Sequence, residues 1–296
     1  MDSIGSAALA GASTSAQDRF KGVRHGRALL VLLPFMVMLL LFSIAPTLWI
    51  ALNSFQYEGA WSLDNFAEIL RSAFYRQAFA NSVWISLCSS LIGLATATLV
   101  SASLRRVDSS VRDLVVAFTN MASNLSGVPL AFAFIIVMGT NGALTLLLRQ
   151  LGWISDFSIY SQGGLILVYS YFQIPLAVLL LYPAFDALQD DWQDAAALLG
   201  ASRLTYWRQV GLPVLMPAIL GTFVLMLANA LGAYASAYAL MTSNYNLVTI
   251  RISSLVAGDI SLEPNLAAAL SLLLIVILVG VAMVNQFLIK RSYHAR

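Results

Sequence analysis

The sequence predicts an all-α polytopic membrane protein with six transmembrane helices. Three observations carry that reading. Hydrophobic residues make up 59% of the 296 and charged residues only 10%, against about 25% charged in an ordinary soluble domain. Mean hydropathy is +0.81. The apolar residues also gather into six runs of about the 20 residues a bilayer crossing needs. A net charge of +2 does not indicate nucleic acid, so membrane lipid is the partner that composition implies. The single cysteine, Cys88, rules out a disulfide within the chain and is expected to be a small buried side chain.

The elements follow in order. Residues 1–27 read as a tail, disordered where it is rich in Ser, Ala and Gly and basic in "RFKGVRHGR". The first span, Ala28–Leu52, is too long for a signal-peptide core, and no small-x-small cleavage site follows it. The next loop contains "WSLDNFAEILRSAFY", expected to form an amphipathic helix at the membrane interface with Asp64 as its N-cap. The second span is Ala80–Leu104. The third, Leu114–Gly139, is polar in its first half through "TNMASNLSG", and Gly127 and Pro129 are placed to break it beside that polar run. Spans four to six are Gly164–Phe185, Val214–Met241 and Leu266–Ile289, followed by a tail at 290–296. The transmembrane domain is thus 28–289, with no internal repeat and no separate soluble domain.

Lysine and arginine orient the chain. With the N-terminus inside, the inner segments hold Arg19, Lys21, Arg24, Arg27, Arg105, Arg106, Arg112, Arg203, Arg208, Lys290, Arg291 and Arg296. The outer ones hold Arg71, Arg76, Arg149 and Arg251, and together these are all 16. That bias places both termini, and the loop between spans four and five, in the cytoplasm.

That loop carries the most information. Asp190 can cap a helix with Gln193 in capping-box position, and Trp192, Ala195, Ala196 and Leu199 then share one face. Gly200 ends the helix, because glycine takes the left-handed conformation cheaply. Ser202 can cap a second short helix carrying Arg203, Tyr206, Trp207 and Arg208, and Pro213 suits the first turn of the next span. The unit is a compact two-sided knob. Its residues leave two readings open: a helix resting on lipid headgroups, or a surface that docks another protein.

The run "DAAALLGASRLTYWRQVGLPVLMP" resembles the EAA loop of permease subunits of type I binding-protein-dependent ABC importers. Asp194, Ala195, Ala196, Gly200, Leu212 and Pro213 match its pattern, and the loop precedes the penultimate of six spans, as in that family. The family's usual Glu is here Asp194, one methylene shorter. "NFAEIL" and "FANSVWISL" also resemble the family's entry to its second span, so the resemblance covers roughly residues 60–289. It implies that the first loop helix is a coupling helix seated in a cleft of a separate ATPase. Asp194 would pair with a basic group, Ala195 and Ala196 would permit close packing, and Gly200, Ala201, Ser202 and Pro213 would shape the turn. It implies an ABC ATPase dimer, a second permease subunit (a different one in preference to a second copy) and a periplasmic or lipid-anchored binding protein. It also implies a place in the bacterial inner membrane. Length and "SGVPLAF" resemble permeases for polyamines, ferric iron, thiamine or phosphonates more than those for sugars.

No cofactor, metal or catalytic set is expected in the chain itself. Its only lysines, Lys21 and Lys290, do not follow glycine, so it has no Walker A loop; ATP and Mg would sit on the partner ATPase. His25 and His294 lie in the tails. None of the 14 Asp and Glu lies well inside a span, which counts against a proton-coupled carrier. The alternative, a self-contained secondary carrier or channel, stays open. The polar residues at depth are neutral, Ser123, Ser126, Tyr171 and Ser236 among them, and could form a weakly polar lining. Asn120, Asn124, Tyr169, Gln173, Asn229, Tyr234 and Tyr238 are the candidates for a translocation path, and interhelical hydrogen bonding is their other reading. The stretch "SNYNLVTIRISSLVAGD" is either a connecting loop or an outer-mouth closure that touches a binding protein.

Overall fold

The computed structural model describes residues 32–154, 157–241, 245–258 and 262–294. The tail at 1–27 and the first residues of span one lie outside them. Among the described residues, six helical stretches are long and apolar enough to cross a membrane: Leu32–Ser54, Ala73–Leu104, Gly127–Gln150, Gln162–Asp186, Arg203–Gly232 and Pro264–Phe287.

The first of these, α1 (Leu32–Ser54), is exposed over most of its length and packs chiefly on the last span. It widens into a π turn at Leu40–Ile44, where the Ala45 N–H reaches back to the Leu40 carbonyl. Pro46 follows immediately. A proline ring clashes with the carbonyl four residues back, and the wider turn moves that carbonyl away.

A two-residue hairpin, β1 (Gln56–Tyr57) with β2 (Ala60–Trp61), comes next. Its turn residues Glu58 and Gly59 both have positive φ, at 49° and 82°, the geometry that matches strand twist in short hairpins. Helix α2 (Asp64–Arg71) is amphipathic as expected, but Asp64 is its first residue and not its cap. Ser62 does the local bonding, donating to the Asp64 carboxylate at 2.5 Å and accepting its N–H at 3.1 Å. Ile69 is buried with Leu266 and Leu270, so α2 sits on the end of the last span instead of only lying in the interface.

Helix α3 (Ala73–Leu104) and the fourth span form the central pair of the bundle. Ser82, Ser86, Ser89, Ser90, Gly93, Ala97 and Ser101 are buried on one face of α3. Small residues let membrane helices approach closely. At Gly93 the approach is extreme: a Cβ there would lie 2.7 Å from Met226 and 3.3 Å from the Gln173 Cβ. Cys88, on the same helix, is half-buried, less enclosed than expected.

The third apolar segment is three helices: α4 (Ser109–Ser123), α5 (Gly127–Met138) and α6 (Ala143–Gln150). The expected span Leu114–Gly139 therefore breaks at Asn124–Ser126, and Gly127 restarts it at φ +71°. The polar run explains the stop. Thr119, Asn120, Ser123 and Asn124 each donate to a carbonyl three or four residues back on their own helix, a local bonding habit that weakens helix interiors.

The fourth span is α7 (Gln162–Asp186), capped by Ser161, which accepts the Gly164 N–H. Helices α8 (Asp190–Leu198) and α9 (Arg203–Tyr206) form the loop that follows. A second π turn, Trp207–Gly211, leads into α10 (Leu212–Gly232) just before Pro213, repeating the arrangement at Pro46. The expected fifth span Val214–Met241 breaks at Ala233–Tyr234 and continues as α11 (Ala235–Met241). Helix α12 (Val248–Ala257) and the last span α13 (Pro264–His294) complete the chain. Two apolar clusters hold the central bundle. One joins Leu165, Val168, Tyr169, Leu240 and Ile250. The other joins Leu181, Phe185, Leu188 and Leu215 beneath the loop.

Candidate functional site

The loop between the fourth and fifth spans is rigid at its root and open at its tip. Leu188 is buried in the bundle. One Arg105 guanidinium nitrogen donates to the Leu188 carbonyl at 2.5 Å and to the Asp190 carboxylate at 2.7 Å. Asp190 is the first residue of α8 and not its cap; Gln189 takes that place without a side-chain bond, so the capping box expected from Asp190 and Gln193 does not form. The far end of α8 is as expected. Gly200 has φ +80°, its N–H bonds the Ala197 carbonyl, and the Ala201 N–H bonds the Ala196 carbonyl, both at 2.9 Å. This pair of bonds is the Schellman ending that glycine favours. Ser202 accepts the Thr205 N–H at 3.2 Å and so starts α9. Tyr206 is buried, and Gly211 lies against the Trp207 ring, where a Cβ would meet it at 2.6 Å.

Helix α8 buries none of its residues. Asp194 and Ala195 are exposed and Ala196 is half-buried. Leu198, Leu199 and Leu204 are 90%, 88% and 79% exposed around the turn. Of these three, the sequence reading placed only Leu199 on a face.

The second feature is a cavity of about 600 Å³ where the two helix breaks meet. Ser123, Ser126 and Gly127 line it from the break in the third segment. Asn229, Tyr234 and Ser236 line it from the break in the fifth, and Phe172 and Leu176 form an apolar wall. No charged side chain lines it. Tyr169 is buried and donates its hydroxyl to the Ala233 carbonyl at 2.6 Å, satisfying a backbone group that the break in the fifth span frees. Ser253 donates to the Tyr234 hydroxyl at 2.8 Å, tying α12 to the same break.

The candidate path residues therefore separate. Asn229 and Tyr234 line the cavity. Tyr238 is exposed and tilts against Tyr234, with ring centroids 5.3 Å apart. Asn120 and Asn124 bond back to their own helix. Gln173 is fully buried in the contact between α3 and α7, donating to Ser89 at 2.8 Å and accepting from Ser90 at 3.0 Å. Ser123, Ser126 and Ser236, also among the polar residues at depth read from the sequence, take places on the cavity wall.

Asn246, in the stretch after the fifth span, is clamped. It accepts from Asn81 through its carbonyl, donates to the Phe74 carbonyl and accepts from Arg251. Arg251 also lies over the Phe74 ring, 4.7 Å from its centroid. The stretch after the fifth span is therefore a packed helix and not a plain connecting loop; Asn244 and Asp259 lie outside the described residues.

With this geometry in place, the comparisons with known proteins decide the family. The profile of the family described as binding-protein-dependent transport system inner membrane component matches residues 89–292, most of the chain and the whole of the loop. The chain belongs to that family. It is a multi-pass inner-membrane permease of the ABC importer class, a transport component and not an enzyme. Among its relatives is the molybdenum transport system permease protein ModB of Mycobacterium tuberculosis, 27% identical over 63% of this chain and 68% of that one. The thiamine transport system permease protein ThiP of Escherichia coli is 24% identical over 83% of this chain, which spans only 46% of ThiP's length. In fold, the permease resembles a crystal structure of a bacterial ABC transporter involved in the import of the acidic polysaccharide alginate. The TM-score is 0.72 at 16% identity, over 93% of this chain and 99% of that one. The six-span all-α architecture read from the sequence agrees with this fold.

Proposed function

We propose that this permease forms half of a translocation path for a small polar solute and takes its drive from a separate ATPase through the loop 186–213. One observation carries the reading: α8 and its turn stand clear of the bundle with Leu198, Leu199 and Leu204 exposed beside the Asp194-Ala195-Ala196 and Gly200 pattern. A helix held firmly at its root by Leu188 and Arg105, with an apolar tip left exposed among the described residues, suits a lever seated in another protein's cleft. The cavity supports the other half of the proposal. Asn229 and Ser126 are exposed at its rim, as they would be if a second subunit closed it.

In this reading the loop and both termini face the cytoplasm. An ATPase dimer binds below and carries ATP and Mg. A second, similar permease completes the path, and a binding protein delivers solute from the other side. Cysteine cross-linking from Leu198→Cys in a Cys88→Ser background tests it. The expected result is a cross-link to a co-expressed ATPase that changes yield with nucleotide. Labelling of that cysteine only by lipid-soluble reagents would place the tip in the membrane and sink the proposal.

A further inference from the structure

We infer that the groove between the end of α3 and the root of the loop holds the headgroup of an anionic phospholipid. The groove measures about 370 Å³, and its walls include Leu99, Ala102, Arg105, Arg106, Asp190 and Trp207. Two guanidinium groups face one carboxylate there. Arg105 is committed, its nitrogen shared between Asp190 and the Leu188 carbonyl. Arg106 is exposed and forms no ion pair among the described residues. The groove therefore carries one positive charge to spare.

Its position selects the ligand. Arg105 and Arg106 directly follow α3, where the membrane-crossing helix ends. One and two turns back, Ala102 and Leu99 form the apolar side of the groove, and Leu99 is 71% exposed. A phosphodiester at Arg106 with acyl chains running past Ala102 and Leu99 meets both the charge and the apolar flank. A free anion would gain nothing from that flank. Trp207, half-buried at the same level, is the amphipathic ring that membrane boundaries favour. Basic pockets beside membrane helices take anionic headgroups on such terms. The bound lipid would bridge α3 and α8 alongside the Arg105–Asp190 pair, so lipid composition would bear on how firmly the loop root is held.

The test uses the whole permease in phosphatidylcholine vesicles with a trace of phosphatidylglycerol carrying a diazirine on its acyl chain. After irradiation, labelled peptides are mapped. Labelling is expected to concentrate at residues 99–106 and around Trp207. Excess phosphatidylglycerol should displace it, while phosphatidylcholine and inorganic phosphate should not. Arg106→Ala should cut this labelling by about fivefold, the factor expected from about 1 kcal/mol per cation at a membrane surface. Arg106→Lys should keep most of it, and Arg149→Ala, in the last turn of α6, should change nothing. Even labelling along all lipid-facing helices, or equal competition by phosphatidylcholine, would overturn the inference. Competition by inorganic phosphate would make the groove a site for free anions. Unchanged labelling in Arg106→Ala together with weaker ATPase co-purification would make it a protein contact instead.

Discussion

The loop and the cavity are built in opposite ways. Every contact that shapes the tip of the loop is local: the two backbone bonds at Gly200 span four and six residues, and Ser202 bonds a residue three places on. The cavity exists only because Ser126, in one broken helix, comes to face Asn229 and Ser236, more than a hundred residues away in another. The loop is a rigid piece with an unfilled outer face. The cavity is a gap between pieces that each end there. If the loop couples and the cavity conducts as proposed, damage to the loop should abolish coupling and leave the bundle intact, while damage at the cavity should alter what passes and leave coupling alone.

The largest effect should come from the tip. Leu198→Asp with Leu199→Asp puts two carboxylates at positions that are 90% and 88% exposed. The permease should fold and reach the membrane at normal levels. Anchor residues at interfaces typically carry about 2–4 kcal/mol, so ATPase association should fall by roughly 30-fold or more and uptake should be lost. Gly200→Val should act alike for a different reason. Nothing lies within 4 Å of a Cβ at Gly200, so the damage is conformational: left-handed backbone costs an L-residue about 1–2 kcal/mol. Normal uptake in both variants would mean that the loop merely rests on the membrane.

The contrast also explains what the sequence disclosed. The Gly200 turn, the Ser202 cap and the six-span count rest on local chemistry and composition, and they appear as expected. The break in the third segment was legible from Gly127 beside a polar run. The break at Ala233–Tyr234 was not, because "LGAYASAY" lacks proline and its only mark is Gly232. Gln173 shows the limit most clearly. A glutamine at mid-span reads equally well as path or packing, and only the facing serines of α3, over 80 residues away, decide that it is enclosed. Asp190 misled for a related reason: a capping residue is inferred from its own neighbourhood, but Arg105 reaches it from 85 residues away.

A substitution in the bundle should separate stability from coupling. Gly93→Val brings a side chain against Met226, which can move, and against the Gln173 Cβ, which has little freedom. Overpacking of this kind costs about 1–3 kcal/mol. Thermal unfolding in detergent should shift down by several degrees, while whatever permease remains folded should still bind the ATPase. A lost ATPase contact at unchanged thermal stability would mean that the two regions are linked more tightly than their contacts suggest.

At the cavity the expected effects are smaller still. Tyr169→Phe removes the donor to the Ala233 carbonyl. Hydrogen bonds between membrane helices average about 0.6 kcal/mol and reach about 2, so unfolding should move little. Asn229→Ala removes a polar group from the cavity wall. Both should change the rate or selectivity of uptake by about two- to tenfold, the range that about 0.5–1.4 kcal/mol allows. ATPase activity stimulated by the loaded binding protein should stay within twofold of wild type. An Asn229→Ala variant with normal uptake of every solute tested would remove the cavity from the path.

The smallest effect should lie where the two regions join. The side chain of Asp190 is 91% exposed and that of Arg105 17%, so their ion pair is largely open to water on the acid side. Exposed pairs contribute about 0–1 kcal/mol. Asp190→Asn should therefore leave uptake and stability near wild type. Arg105→Ala should cost more, because it also strips the Leu188 carbonyl of its donor at the point where the chain leaves the bundle. A double-mutant cycle measured by thermal unfolding separates the two contributions. A coupling energy below about 0.5 kcal/mol would assign the fixed root of the loop to Leu188 burial and the Arg105–carbonyl bond. A value well above 1 kcal/mol would show that the ion pair itself holds the loop, and the local, self-contained character claimed for the loop would then end at its tip.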